Sequence, residues 1–275
     1  MRIVVATTRD DPLAGVFWEA YYHAGGLSPS AVCFLLPQRR RAFWRRAIEG
    51  LILFGPAGSM KWWRLTHRTS RGLIKNPQLV FHGVDKFHVL RSLNGGVGLL
   101  TLKEEAPELL VSVGSPEIFR RSVLRAATVG AVNVHNGRLP LYRGVFGTFW
   151  EALRGEDWGY TSIHVMDRQI DSGSVLAQCA VRLSGRALME VLVAKKRLGG
   201  RLLAWLVRFV EREGELPAAC PYSVDGMGSY YSWPSLRETA LLGLRRLGNS
   251  PGRPLQMNRP DDTWPREMAV ADDPA

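Results

Sequence analysis

Residues 133–178 read NVHNGRLPLYRGVFGTFWEALRGEDWGYTSIHVMDRQIDSGSVLAQ, and this stretch decides how the chain is expected to fold. An apolar run, residues 131–134, leads into it and brings Asn133 and His135 two residues apart. Because alternate residues of a strand share a face, both side chains can point at one spot. The acid Asp171 follows in a glycine-containing turn. An amide donor, an imidazole and a carboxylate are the groups that acyl transfer needs.

The segments before this stretch predict an α/β fold. Residues 2–7 and 31–36 have the composition of buried strands, and residues 13–24 form a helical pattern that stops at Gly25-Gly26. A strand–helix–strand opening predicts a mostly parallel, doubly wound sheet flanked by helices, with right-handed crossovers. No G-x-G-x-x-G follows the first strand, which disfavours a nicotinamide dinucleotide site.

Further strands are expected at residues 109–113, 129–134, 159–166 and 174–182, and helices at residues 117–125 and 146–154. Residues 114–116, Gly-Ser-Pro, follow one of these strands, and small-residue loops after strands are where open α/β sheets bind ligands. The turn at residues 168–173 is expected to bring Asp171 back over the edge of the sheet, where it can meet His135.

The C-terminal part has a different character. A long helix is expected over residues 186–213 and a short one over 235–247, with a Pro/Gly/Tyr-rich segment between them, and residues 249–275 form a polar tail expected to be disordered. We therefore divide the chain into a catalytic domain at 1–182, a helical and loop extension at 183–248 and the tail at 249–275.

The positive charge is concentrated in residues 39–75. This segment holds ten basic residues and one acid, so it carries +9 of the formal net charge of +11. It also contains Trp44, Trp62 and Trp63. Three interpretations stay open: a helical hairpin that is broken at Gly55-Pro56 and keeps its arginines in solvent, an interfacial membrane contact, or a nucleic-acid patch. The localised charge makes nucleic acid the least expected partner.

Several classes of protein are disfavoured. The longest apolar run, residues 50–58, is far shorter than a membrane span needs, and the N-terminus has no signal-peptide pattern. Three widely spaced cysteines, Cys33, Cys179 and Cys220, argue against a disulfide framework and a zinc site. We expect a cytoplasmic protein without a metal, which residues 39–75 could attach to a membrane surface.

The dispersed polar elements resemble the catalytic core of the folate-dependent formyltransferases, and most of all the sugar N-formyltransferases. The family pattern is N-x-H-x-x-x-L-P-x-Y-R-G, then W, G-E, T-x-x-H and D-x-G. It stands here as Asn133, His135, Leu139-Pro140, Tyr142-Arg143-Gly144, Trp150, Gly155-Glu156, Thr161, His164, Asp171 and Gly173. The resemblance covers roughly residues 1–182, with residues 39–75 as an insertion, and it implies a Rossmann-like formyltransferase fold.

The resemblance implies 10-formyltetrahydrofolate as the formyl donor and a primary amine as the acceptor. Asn133 could donate to the alkoxide that forms when the amine attacks, His135 could stabilise that oxygen or take the amine proton, and Asp171 could support His135. The residues implied in donor binding are Gly114, Ser115, Pro116, Glu117, Ile118, Leu139, Pro140, Arg168, Gln169 and Ile170. The residues implied near the acceptor are Asn136, Arg138, Arg143 and His164.

The acceptor is expected to be a small amine. Relatives that act on initiator tRNA carry an additional β-rich domain after the catalytic one, and no run of alternating strands follows here. An amino sugar, free or linked to a nucleotide or lipid, is the leading expectation, and residues 230–235 are similar to an aromatic-proline motif of sugar-directed relatives. The alternatives are a formyltetrahydrofolate hydrolase, a methionyl-tRNA formyltransferase-like enzyme and a catalytically silent binding module.

Overall fold

A computed structural model of the chain describes residues 1–36, 43–219 and 229–247. Arg39, Arg40 and Arg41, Cys220 and the tail expected at residues 249–275 lie outside the described residues. The strands are β1 Ile3–Thr7, β2 Ala31–Leu35, β3 Phe87–Leu90, β4 Leu109–Val113, β5 Gly130–His135, β6 Tyr142–Gly144, β7 Trp158–Val165, β8 Val175–Arg182 and β9 Ser229–Tyr231. The α-helices are α1 Ala14–His23, α2 Phe43–Lys75, α3 Gly96–Glu105, α4 Arg121–Leu124, α5 Gly147–Arg154, α6 Leu188–Glu213 and α7 Leu236–Leu247.

The main sheet has seven strands in the order β3-β2-β1-β4-β5-β7-β8. The first five strands of this order run parallel, whereas β7 is antiparallel to β5, and β8 to β7. Every residue of β1, β2 and β4 is buried, as expected for central parallel strands covered on both faces. The mostly parallel α/β sheet predicted from the sequence is confirmed.

The two faces of the sheet have separate hydrophobic cores. In β1, Ile3 and Val5 face a core built with α1 and α6, and Val4 and Ala6 face the core that includes Leu102 and Val123 of α3 and α4. This alternation is the period-2 geometry of a strand. Helices therefore cover both faces, which is the doubly wound arrangement.

Helix α6 shares the core of the sheet. Leu202, Leu206 and Val207 are buried in the same cluster as Val5 and Val132 of the central strands. The division at residue 182 remains a proposal, and this packing limits it, because a chain ending there would expose one face of the sheet.

Helix α2 consists of two helical halves that meet at Gly55, whose φ of 67° and ψ of 178° are not helical. The Phe54 and Trp62 rings stack with centroids 5.4 Å apart. A straight helix would separate residues eight positions apart by about 12 Å along its axis, so the two halves fold back on each other. The predicted helical hairpin broken at Gly55-Pro56 is confirmed for residues 43–75.

One local prediction was wrong, and one strand was not predicted. The helix expected at residues 117–125 is only α4, Arg121–Leu124, because the Glu117 carboxylate accepts hydrogen bonds from the Leu93 N–H and the Asn94 side chain and holds residues 115–120 as a loop. The sequence also gave no sign that residues 142–144 form a strand, β6, which pairs in parallel with the distant β9. Among the described residues, no helix is long and apolar enough to cross a membrane.

We expect Leu206→Ala to lower the free energy of unfolding by about 2–5 kcal/mol, because it removes a fully buried side chain between α6 and the sheet. Urea unfolding followed by circular dichroism measures the change. Leu100→Ala, at an exposed position of α3, is the matched control, and its effect should stay within about 0.5 kcal/mol. Equal stability of the two variants would mean that α6 is not part of the folding unit.

Candidate active site

Asn133 and His164 form the base of the site. They lie directly opposite each other in the antiparallel pair of β5 and β7, so their side chains leave the same face of the sheet. Asn133 Nδ2 is 3.1 Å from His164 Nε2, and His164 Nδ1 is 2.9 Å from the carbonyl oxygen of Val165. The Nδ1–H of His164 therefore donates to that carbonyl.

Asp171 lies over this pair and also reaches His135. Its Oδ1 is 3.4 Å from Asn133 Nδ2 and 3.3 Å from His164 Nε2, and its Oδ2 is 3.5 Å from His135 Nδ1. The convergence of Asn133, His135 and Asp171 expected from the sequence is therefore observed. His164 is a full member of the cluster, which the strand pattern alone left undecided.

The loop that carries Asp171 folds back over the face of the sheet. Because β7 is antiparallel to β5, its end lies near the start of β5, where the Met166 N–H donates to the Ala131 carbonyl. The chain must therefore return across the sheet to bring Asp171 to His135. Asp171 adopts a left-handed backbone with φ of 48°, which aspartate tolerates better than most residues.

Burial and the neighbouring polar groups together set the charges of the cluster. Burial by itself would raise the pKa of Asp171, but His135, His164 and the Gly144 N–H, which donates to Oδ2 at 2.8 Å, lower it to about 2. Burial lowers the pKa of His135, although the Asp171 carboxylate opposes the shift. At neutral pH the site therefore holds an ionised carboxylate beside a neutral imidazole.

His135 has one nitrogen available for chemistry. Its Nε2 lies 2.6 Å from the carbonyl oxygen of Tyr142, which can only accept, so Nε2 carries the hydrogen. Nδ1 then has a lone pair that faces Asp171. Proton transfer to or from His135 would take place at Nδ1.

Strand β6 ties the cluster to the C-terminal part of the chain. The Tyr142 carbonyl holds His135, and the Gly144 N–H holds Asp171. A side chain at Gly144 would come within 2.1 Å of the Tyr231 carbonyl oxygen in β9, so only glycine fits there. Tyr231 also stacks on Tyr142 and Trp150, which shows that part of the aromatic stretch at residues 230–235 packs beneath the site.

A buried ion pair that the sequence did not reveal lies below the loop after β5. Lys195 Nζ is 2.7 Å from Glu151 Oε2, and both side chains are 1% exposed. Lys195 also donates to the Asn136 carbonyl, and Glu151 Oε1 accepts from the Arg138 N–H. Burial raises the pKa of Glu151 and lowers that of Lys195, and the direct contact opposes both shifts. The sequence carried one sign of this pair, because the acid Glu151 lies among the apolar residues 149–153.

The loop at residues 114–118 follows β4, the strand next to β5, as expected. Gly114 has a φ of 63°, and the Ser115 hydroxyl accepts from the Glu117 N–H, so the loop turns at once after the strand. The Glu117 carboxylate accepts hydrogen bonds from the Ser92 hydroxyl, the Leu93 N–H and the Asn94 side-chain amide. Ile118, by contrast, presents an exposed apolar side chain at this edge.

The other residues implied in donor binding lie on two loops. Leu139-Pro140 has a cis peptide bond, and the Leu139 carbonyl accepts from Gln178. The loop with Arg168, Gln169 and Ile170 is shaped by Asp167, which accepts from the Gln169 N–H and the Ser172 hydroxyl. Arg168 and Gln169 are exposed, and Pro140 and Ile170 are half-buried. A bound donor could reach the exposed groups.

Among the acceptor residues, the structure does not bring Arg138 to the cluster. Its guanidinium lies 4.9 Å from the centre of the Tyr160 ring, and Tyr160 is four residues, about 13 Å, from His164 along β7. The Asn136 carbonyl is bonded to Lys195, so the backbone there points inward. Arg143 lies between Tyr142 and Gly144, and its buried Nε has no hydrogen-bond partner among the described residues.

The segment that carries this site is similar to known proteins. Residues 99–196 match the protein family described as formyl transferase. The match includes Asn133, His135, His164 and Asp171, so the resemblance seen in the sequence is confirmed.

One curated relative matches only part of the chain. A methionyl-tRNA formyltransferase from Anaeromyxobacter dehalogenans (strain 2CP-C) is 33% identical over 117 residues, which are 42% of this chain and 38% of that protein. The chain thus spans less than half the length of this curated relative.

Two solved structures share the fold. A phosphoribosylglycinamide formyltransferase from Bacillus halodurans has a TM-score of 0.53 at 13% identity and covers 78% of this chain and 97% of its own. A sugar N-formyltransferase from Shewanella sp FDAARGOS_354 has a TM-score of 0.53 at 16% identity, and the match covers 88% of this chain and 87% of that chain. At such identities the likeness concerns the fold alone.

We expect Lys195→Met to lower the free energy of unfolding by about 3–5 kcal/mol, because it leaves the Glu151 charge buried without its partner. Urea unfolding measures the loss. In the double variant Glu151→Gln/Lys195→Met the buried charge is gone and Oε1 can still accept, so part of the stability should return. The exposed Lys103→Met is the control, and a loss no larger than in that control would contradict the prediction.

Proposed function

We propose that the protein transfers a formyl group from 10-formyltetrahydrofolate to a primary amine. The observation that carries the proposal is the contact of Asp171 with Asn133, His135 and His164 inside the segment that matches the formyl transferases. An ionised carboxylate, a neutral imidazole and an amide donor meet at one point, which suits attack by a neutral nucleophile on a carbonyl group.

The roles of the side chains follow from their contacts. Asn133 has two amide hydrogens, and the weaker contact, 3.4 Å to Asp171, is the one that an alkoxide oxygen would replace. Attack forms the new carbon–nitrogen bond and places positive charge on the amine. The Asp171 carboxylate stabilises that charge, and His135 Nδ1 accepts the proton. The alkoxide then re-forms a carbonyl, the bond from the formyl carbon to the donor nitrogen breaks, and that nitrogen takes up the proton that His135 accepted.

The donor would lie on the loops beside this cluster. 10-Formyltetrahydrofolate supplies the formyl group. Ile118 is exposed and Ile170 half-buried, and apolar side chains of this kind suit a flat pteridine ring. Backbone groups of residues 114–118 and 168–170 would hold its polar edge, and the cis Leu139-Pro140 segment would complete the binding site.

We propose a small acceptor with an anionic group, and among such amines an amino sugar that is linked to a nucleotide. The support is Arg143, a cation whose buried Nε has no hydrogen-bond partner among the described residues. The residues on either side of it, Tyr142 and Gly144, are hydrogen-bonded to His135 and Asp171. A phosphate oxygen would satisfy that nitrogen. A lipid-linked amino sugar carries the same group, so the panel of acceptors includes both.

The function is tested by incubating the protein with 10-formyltetrahydrofolate and a panel of amines, and by measuring formylated product by mass spectrometry. Asn133→Ala should lower kcat by about 10²–10³, the usual effect of losing an oxyanion donor. Asn76→Ala, at an exposed position, is the control and should leave kcat unchanged.

The same assay separates the alternatives. Formate release without any amine would indicate a hydrolase, formylation of methionyl-tRNA alone would indicate the tRNA-directed class, and no reaction with any acceptor would indicate a binding module. Full activity of Asn133→Ala would refute the role assigned to the cluster.

We expect Arg143→Gln to raise KM about 10–100-fold for a nucleotide-linked amino sugar, because one charge-assisted hydrogen bond to the phosphate is lost. The kcat/KM for the free amino sugar should not change. Arg138→Gln is the matched control, since its guanidinium lies over Tyr160. An equal loss with both acceptors would show that Arg143 does not recognise the anionic group.

A further inference from the structure

The first half of α2 exposes an apolar stripe, whereas its acid, Glu49, is buried. Trp44, Ala47, Ile48 and Leu51 stand at positions i, i+3, i+4 and i+7, the spacing that normally faces a core, yet all four are exposed. Trp44 is 59% and Leu51 51% exposed. An apolar stripe of this kind on the outside of a folded protein indicates a surface that something covers.

The inward side of the same half is fixed by polar contacts. Arg45 donates to the carboxylate of Glu49 at 3.1 Å and to the Pro234 carbonyl oxygen at 3.1 Å, and Glu49 is buried. Leu53 and Phe54 pack against the cluster around Trp150. These contacts hold the helix in its orientation, so the outward direction of the stripe is part of the fold.

Helix α7 extends the apolar stripe. Ile52 approaches Gly243 so closely that a side chain added there would come within 2.7 Å of it. Beside this contact lies an open groove between the two helices, with the exposed Leu51 on one side and the 67% exposed Leu244 on the other. We call Trp44, Ile48, Leu51, Ala240 and Leu244 the α2–α7 surface.

Positive charge accompanies the apolar stripe along α2. In the sequence, residues 39–75 carry a net charge of +9, and their one acid, Glu49, is buried. Arg46, Lys61 and Arg64 are exposed on α2. The second half of the helix adds the exposed apolar side chains of Met60 and Trp63.

We propose that the α2–α7 surface docks onto an anionic lipid membrane, with Trp44, Ile48 and Leu51 entering the headgroup region and the basic side chains contacting lipid phosphates. Tryptophan and aliphatic side chains ringed by arginine and lysine are what an interfacial helix requires. A second copy of the chain would bring two strongly positive segments together. Nucleic acid would pair with the charge but would leave Ile48, Leu51 and Leu244 uncovered.

This surface is connected to the active site. Pro234, which accepts from Arg45, follows β9, and β9 pairs with β6, whose Gly144 N–H holds Asp171. Docking through α2 would therefore keep the site close to the lipid surface. Binding to a membrane does not depend on the proposed reaction, so the two can be tested separately.

The test is flotation of the intact protein with vesicles of phosphatidylcholine and with vesicles in which phosphatidylglycerol replaces part of it. We expect binding to the anionic vesicles only, weakened by added salt, with a blue shift of tryptophan fluorescence. Ile48→Glu/Leu51→Glu should weaken binding roughly tenfold or more. Val97→Glu/Leu100→Glu, which makes the same charge change at exposed positions of α3, should bind like the unchanged protein.

Urea midpoints of the two double variants establish that each is folded. If the α2–α7 variant does not fold, the unchanged protein alone tests the proposal. The proposal is then overturned if its tryptophan fluorescence does not shift on anionic vesicles. The proposal also fails if the α2–α7 variant floats as well as the α3 variant. It fails equally if the unchanged protein shows no flotation but forms a dimer in light scattering that the α2–α7 variant dissociates.

Discussion

The carboxylate of Asp171 is the interaction on which the site depends. Its two oxygens meet His135, His164, the Asn133 amide and the Gly144 N–H, groups from β5, β7 and β6. With a pKa of about 2, the carboxylate stays charged although it is largely buried. That charge can be kept only if polar groups surround it, so the local geometry of three strands is coupled to one side chain.

The same coupling reaches the C-terminal part of the chain. Gly144 donates its N–H to Asp171, and on its other side the Tyr231 carbonyl oxygen of β9 leaves no room for a side chain. Below the loop after β5, the Lys195–Glu151 pair holds the backbone of residues 136 and 138. Helix α6 thus contacts the loop after β5 through Lys195 and fills the core of the sheet. Helix α2 is bonded through Arg45 to Pro234, in the segment between β9 and α7.

Much of the fold followed from local patterns. The buried strands at 3–7, 31–35 and 109–113 are short apolar runs, and the break at Gly55 follows from glycine's backbone freedom and the proline after it. Prediction failed where distant groups compete with local preference. Residues 117–120 do not continue a helix because Glu117 bonds to residues 92–94, and Arg138 turns to Tyr160 because its backbone is held by Glu151.

By itself, the sequence determined the mostly parallel α/β sheet, through its order of strands and helices, and the convergence of Asn133 and His135, through the period-2 geometry of a strand. It also identified Asp171 through its resemblance to the formyltransferases. Only the tertiary structure decided that His164 joins them, that the Asp171 loop crosses the face of the sheet, and that a buried Lys195–Glu151 pair supports the site. The reason is physical: these contacts join side chains 31 to 44 residues apart, where no local pattern specifies pairing or register.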